Sequence, residues 1–225
     1  MRRIVSVWII LLVATGVAQA ADAGGFGGYF LGLTWPGLGD LQQRLESHGF
    51  QMPNQALIHG GGGYGFGQGW IFGGFGYGGS LTADRSGETV ELSVGGGGFE
   101  MGRIWRVGPV LAALTGILGG YGTTLTLRPE LNDVDFDSLV VHPQRMARMS
   151  TGGVLLGLGA LVVMPLTSWF SLGLRGHLAF TPMGKWELED GAELWNAPDP
   201  SRWHATVQVM FLFGGWARTP GAHRS

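Results

Sequence analysis

Beyond residue 20, no apolar stretch runs for the ~20 residues that a membrane-spanning helix needs, because glycines and polar side chains interrupt each one every few positions. Yet charged residues make up only 13% of the chain, roughly half the ~25% of an ordinary soluble domain. A chain with so little charge and no spanning helix has one remaining way to satisfy its backbone in lipid, a closed β-barrel.

The first twenty residues read as a secretory signal peptide. Arg2 and Arg3 give a positive start, Ile4 to Val17 are mostly apolar, and Ala18-Gln19-Ala20 offers the small-x-small pattern of a cleavage site. Residues 21–225 contain no linker-like stretch and are read as a single β-barrel domain. The absence of cysteine excludes disulfides, thiolate metal sites and cysteine nucleophiles. A net charge of −2 with no basic block lacks the footprint of a nucleic-acid binder.

Two-residue alternation is clearest late in the chain. Phe170, Leu172, Leu174, Leu178 and Phe180 share one parity, while Ser171, Gly173, Arg175, His177 and Ala179 share the other. Val154, Leu156, Leu158, Ala160, Val162 and Met164 oppose small residues. Trp203, Ala205, Val207, Val209, Phe211 and Phe213 oppose His204, Thr206, Gln208, Met210, Leu212 and Gly214. Strands are expected near 24–35, 56–67, 70–81, 89–101, 106–127, 148–164, 168–181 and 203–216. Tight turns are expected at 67–69, 102–105 and 165–167 and a moderate loop at 82–88, with long loops at 36–55, 128–147 and 182–202. Short turns on one side and long loops on the other are the pattern of an outer-membrane barrel.

Trp70, Trp105, Trp169 and Trp216 fall at one set of strand ends and Trp35 and Trp203 at the other, as two interfacial girdles would require. Carboxylates gather in the loops, at Asp84 and Glu88, Glu130 to Asp137, and Glu187 to Asp199, with no EF-hand spacing. Glycines crowd residues 60–67, 73–79 and 95–98. Two explanations stand: sharp curvature of a narrow barrel, or close approach of another element. None of these runs has the Lys-Ser/Thr of a phosphate loop.

In the first long loop Leu38, Leu41 and Leu45 recur at i, i+3 and i+7, Asp40 lies near the start, Arg44 nearer the end, and Gly49 follows. This predicts a short amphipathic helix with those three leucines as its contacts. Its place, over the mouth, on the outer leaflet or within the lumen, is left open by the sequence.

On its leader, alternating strands, loop asymmetry and the aromatic-rich segment Val207 to Trp216, the chain resembles the superfamily of small eight-stranded bacterial outer-membrane β-barrels. Gly60 to Gly67 followed by Gly73 to Gly79 resembles glycine-rich exported members of it. Nine residues, Ala217 to Ser225, follow the last aromatic, a departure from the usual C-terminal aromatic. Lipid A deacylases pair a His with a Ser two positions on; here Ala179 follows His177, so that activity is not carried over. Ser171 and His177 lie about 20 Å apart on an extended strand, beyond hydrogen-bond reach. No catalytic, cofactor or metal residue is assigned. Arg175, His177, His204, Gln208 and Glu91 are expected to form a lumenal polar network, since buried polar groups in a narrow barrel must pair.

The expected fold is therefore an all-β, antiparallel up-and-down transmembrane barrel of about eight strands with a short helix in the first long loop. The expected role is non-enzymatic, envelope-structural or surface-interacting, in the bacterial outer membrane and in contact with its lipid. A barrel that binds lipid or a small apolar ligand, a lipid-modifying envelope enzyme and a soluble periplasmic β-barrel or sandwich are the alternatives.

Overall fold

The computed structural model describes residues 19–20, 23–85, 87–129, 147–198 and 202–216. Eight long strands form the wall: β1 (Gly24–Trp35), β2 (Ala56–Gly67), β3 (Trp70–Arg85), β4 (Glu88–Val107), β5 (Val110–Pro129), β6 (Ala147–Pro165), β7 (Phe170–Phe180) and β8 (Trp203–Trp216). Each pairs antiparallel with its sequence neighbours. β8 then closes on β1 from Ala205↔Trp35 to Trp216↔Gly24. Closure leaves the eight-stranded ring no free edge to pair with other chains. Gln19–Ala20 adds two residues beside Arg106 and Trp105 of β4. Residues 1–18 of the expected signal peptide, the carboxylates Glu130 to Asp137 and the residues after Trp216 lie outside the described residues.

Strand alternation sorts side chains between two environments. Phe30, Ile58, Ile71, Leu155, Met210 and Leu212 point inward and are fully buried. Tyr29, Leu57, Phe72, Phe99, Leu114, Leu118, Leu158, Leu174 and Phe213 point outward and are exposed, Leu158 by 75%. This outward apolar surface is continuous around the barrel and is the lipid-facing belt. No described helix is long and apolar enough to cross a membrane. At the tight-turn end Trp70 and Trp169 are exposed, with the Arg103 guanidinium 4.4 Å from the Trp70 ring. At the opposite end Trp35 and Trp203 are exposed, and Trp203 packs on Phe180 with ring centroids 5.1 Å apart.

Two boundaries differ from the sequence expectation. The turn expected at 102–105 lies instead at Gly108 and Pro109. Gly108 takes φ 61°, and the pairing runs on through Ile104↔Ala113 to Val107↔Val110. The moderate loop expected at 82–88 is a tight connection, because β3 and β4 stay paired to Arg85↔Glu88 and Gly87 takes φ 84°. The result is a lopsided wall: β3 to β6 have 16, 20, 20 and 19 residues, whereas β7 has 11. Where β7 has ended, the segment after it takes its place on β6, with Gly153↔Met183, Ser150↔Glu187 and Met149↔Leu188 in register.

Helix α1 (Asp40–Ser47) buries Leu41 and Leu45, and Leu38, expected within the helix, is buried just before its start. Its C-terminus is closed by Gly49 at φ 85° and by Phe50 N–H bonding to the Leu45 carbonyl at 2.9 Å. Leu38 and Leu41 share a cavity of about 10 Å³ with Leu92, Tyr121, Met183 and Trp186, so the helix caps the loop-side mouth. Arg44 holds the cap to the far loop through the Asn196 carbonyl at 2.8 Å. Arg85 bonds the His48 carbonyl and lies over the Phe50 ring.

Candidate functional site

The lumen is where polar chemistry is concentrated. At mid-depth Arg175, on the inward parity of β7, is only 1% exposed. Its Nη2 and Nε donate to Glu100 Oε1 at 2.7 and 3.2 Å, and its Nη1 donates to Gln208 Oε1 at 2.6 Å. Glu100, 2% exposed, accepts from Tyr64 Oη on its other oxygen at 2.6 Å. The guanidinium plane also lies 3.9 Å from the Phe75 ring. Four strands thus contribute to one clamp across the lumen: β2 gives Tyr64, β4 Glu100, β7 Arg175 and β8 Gln208. Glu100 has room because Gly159 faces it; a Cβ there would meet Glu100 Oε1 at 3.1 Å and Thr115 Oγ1 at 2.6 Å. Both charges are desolvated, so the fork geometry and the extra donors are what make the pair tolerable.

Above the clamp, towards the mouth, Thr34 and Thr206 hydroxyls bond each other at 3.0 Å across the β8/β1 seam. His177 and His204 follow, both buried, with ring centroids 6.2 Å apart and planes perpendicular. His177 packs against Phe75 and Tyr77, and His204 stacks on Tyr121 at 4.2 Å. Among the described residues neither imidazole has a hydrogen-bond partner, and none of their carboxylates orients either histidine. Ser171 and His177 both point inward from β7 but are six residues apart on it.

Of the residues singled out from the sequence, Arg175 and Gln208 are bonded to each other, and His177 and His204 are neighbours in the same lumen. Glu91 is a correction. It points outward from the crest of β4 and pairs with Arg128 at 3.1 Å. Above the lipid belt the outward face meets water and the inward face meets the capping helix, so the apolar-out rule reverses there: Val90, Leu92 and Val94 are the buried set. The missed carboxylate is Glu100. Its signal was present, since the parity of Leu92 and Val94, carried unbroken along β4, places Glu100 inside between outward Phe99 and Met101. Of the other histidines among the described residues, His48 is exposed and bonded to the Arg44 carbonyl, and His59 lies outside against Tyr29.

No protein-family model matches the chain, and no curated protein matches it by sequence. Solved structures match in architecture. Ail, the attachment invasion locus protein of Yersinia pestis, is 9% identical at a TM-score of 0.45, over 86% of this chain and 99% of that one. The same protein in complex with the heparin analogue sucrose octasulfate is 8% identical at 0.47, with the same coverage. The outer membrane protein OprG from Pseudomonas aeruginosa is 11% identical at 0.44, over 88% and 98%.

Proposed function

We propose that this protein is a non-enzymatic, non-conducting outer-membrane barrel that works through its loop-side face, in contact with the saccharide-bearing lipid of the outer leaflet. The observation that carries this reading is the clamp of Arg175, Glu100, Tyr64 and Gln208, which fills the lumen at mid-depth while α1 covers its mouth. An eight-stranded barrel has an interior just wide enough for side chains, and here they occupy it. A lipid-binding lumen is not favoured, because the space beneath the helix is about 10 Å³, at most one water. The working surface is the tall wall of β3 to β6 with the 181–198 segment folded onto it. That surface carries the exposed pairs Arg128–Glu91, Arg148–Glu189 and Lys185–Glu193 and the exposed Trp195.

The test has two parts. Reconstituted in planar bilayers, the protein is expected to pass no steady ionic current. Replacing residues 187–196 by a short Gly-Ser turn is expected to weaken binding of the detergent-solubilised barrel to immobilised lipopolysaccharide by about tenfold or more, ~1.4 kcal/mol. The heat-dependent electrophoretic shift of a folded barrel should persist in that variant. Discrete channel openings, or equal binding by the two proteins, would refute the reading.

A further inference from the structure

Not every glycine of the wall answers to curvature. Gly122 of β5 and Gly152 of β6 stand opposite each other in register, and the Gly184 N–H, from the segment that follows β7, bonds the Gly152 carbonyl at 2.9 Å. None of the three has a positive φ. A Cβ would meet nothing nearer than 3.5 Å at Gly122, 3.4 Å at Gly184 and 3.1 Å at Gly152, against 2.1 Å at the inward Gly119. The wall itself therefore does not require Gly122 or Gly184. Bare backbone in a strand also marks a place where a ligand comes close.

The three glycines line an outward cleft of about 430 Å³, within the ~300–1,000 Å³ of small-molecule sites. Thr124 and Ser150, paired in register, bring two hydroxyl side chains to the same cleft, and Lys185 and Glu187 bring its charges. Thr123, 9% exposed, lines it too, and its hydroxyl has no partner among the described residues. Gly184 and Lys185 also line an adjoining cavity of about 220 Å³, whose other charged residue is Arg202. Lys185 donates to Glu193 at 2.5 Å, and its ammonium has two further N–H groups to offer. On the turn side of the cleft, the exposed Leu118 of β5 and Val154 and Leu156 of β6 belong to the lipid belt. A ligand matching this order is an amphiphile with a sugar ring, a phosphate and acyl chains. We propose that the cleft binds the phosphorylated sugar headgroup of one outer-leaflet lipid, an inference that rests on the loop-side function above. The ring lies on the glycine floor, where its hydroxyls bond Thr124, Ser150 and Glu187. Its phosphate meets Lys185 and Arg202, and the acyl chains run down over Val154 and Leu156.

Binding of the refolded, full-length barrel in detergent to immobilised lipopolysaccharide, intact or stripped of its phosphate groups, tests this. Gly122→Leu fills the floor and is expected to bind the intact form at least about tenfold more weakly than wild type. Gly76→Leu adds the same side chain to the outward face of β3, away from the cleft, and is expected to bind within about twofold of wild type. Removing the phosphates is expected to weaken wild type by about tenfold and to leave Lys185→Gln/Arg202→Gln unchanged. Millimolar inorganic phosphate at constant ionic strength is expected to leave the complex intact; displacement by it would make the ligand a free anion and overturn the headgroup assignment. If Gly122→Leu lacks the heat-dependent mobility shift, the exposed Lys185→Gln/Arg202→Gln pair decides, and an equal response of that pair and wild type to phosphate removal overturns the proposal. Weaker binding on replacing residues 187–196 with none on Gly122→Leu would leave the loop-side reading standing and overturn the cleft. A wild type that does not bind lipopolysaccharide would overturn both.

Discussion

Replacing Arg175 with methionine will lower the unfolding free energy of the barrel by about 3–5 kcal/mol, because Glu100 is then left as an uncompensated charge in a dry lumen. Glu100→Leu alone will cost a comparable amount, stranding the guanidinium and the Tyr64 hydroxyl together. Combining Arg175→Met with Glu100→Leu will restore most of the loss, since a buried ion pair exchanged for packed apolar side chains is often neutral or stabilising. The resulting cycle isolates the pair's coupling from the cost of each truncation. Urea titration of the refolded protein in detergent, read by tryptophan fluorescence, measures all four stabilities. Additive single losses would show that the clamp is not the unit described.

Glycine substitutions will divide by face. At Gly28 a Cβ would stand 1.9 Å from the Phe211 carbonyl oxygen, at Gly60 2.0 Å from that of Gly76, and at Gly102 1.9 Å from that of Leu114. These glycines are on the inward parity, where a tightly coiled wall presses neighbouring backbones together. Gly28→Ala will therefore spread the β8/β1 seam and cost about 3 kcal/mol or more, seen as loss of the fast-migrating folded band. Gly76 points outward with nothing within 4 Å of its would-be Cβ. Gly76→Ala will be neutral or will stabilise by about 0.4–1 kcal/mol, by narrowing the unfolded ensemble. Equal effects at the two sites would contradict curvature as the cause of the inward glycines.

The curvature explanation was already available from the sequence, but not its one-sided character, which depends on which parity faces the lumen. Parity was legible in β7 and β8, where Leu174 and Val207 alternate with Arg175 and Gln208. It was misread in β4, where the face that meets lipid lower down meets water at the crest, so Glu91 was placed inside and Glu100 overlooked. Leu38, Leu41 and Leu45 announced a helix through their spacing alone. Their docking on the mouth depends on Leu92, Tyr121 and Trp186, which no local pattern connects to them. The turn at Gly108 and Pro109 carried a plain Gly-Pro signal, yet the expected strand boundary fell six residues early; Gly102, where the turn was expected to begin, is an inward glycine within a continuous strand. The His177 and His204 neighbourhood was partly legible, as both lie inward on adjacent strands. Tyr77 and Tyr121, from the far wall, were not.

A closed barrel whose outward apolar side chains face lipid partitions with the outer membrane and keeps its folded form in detergent until it is boiled. Fractionation of expressing cells, followed by electrophoresis of the membrane fraction with and without boiling, reads both properties. The protein is expected in the outer-membrane fraction, with a band that migrates faster before boiling than after it. A soluble periplasmic product with no heat-dependent shift would contradict the lipid-facing assignment of Leu158, Leu118 and Phe99, and with it the account of the fold.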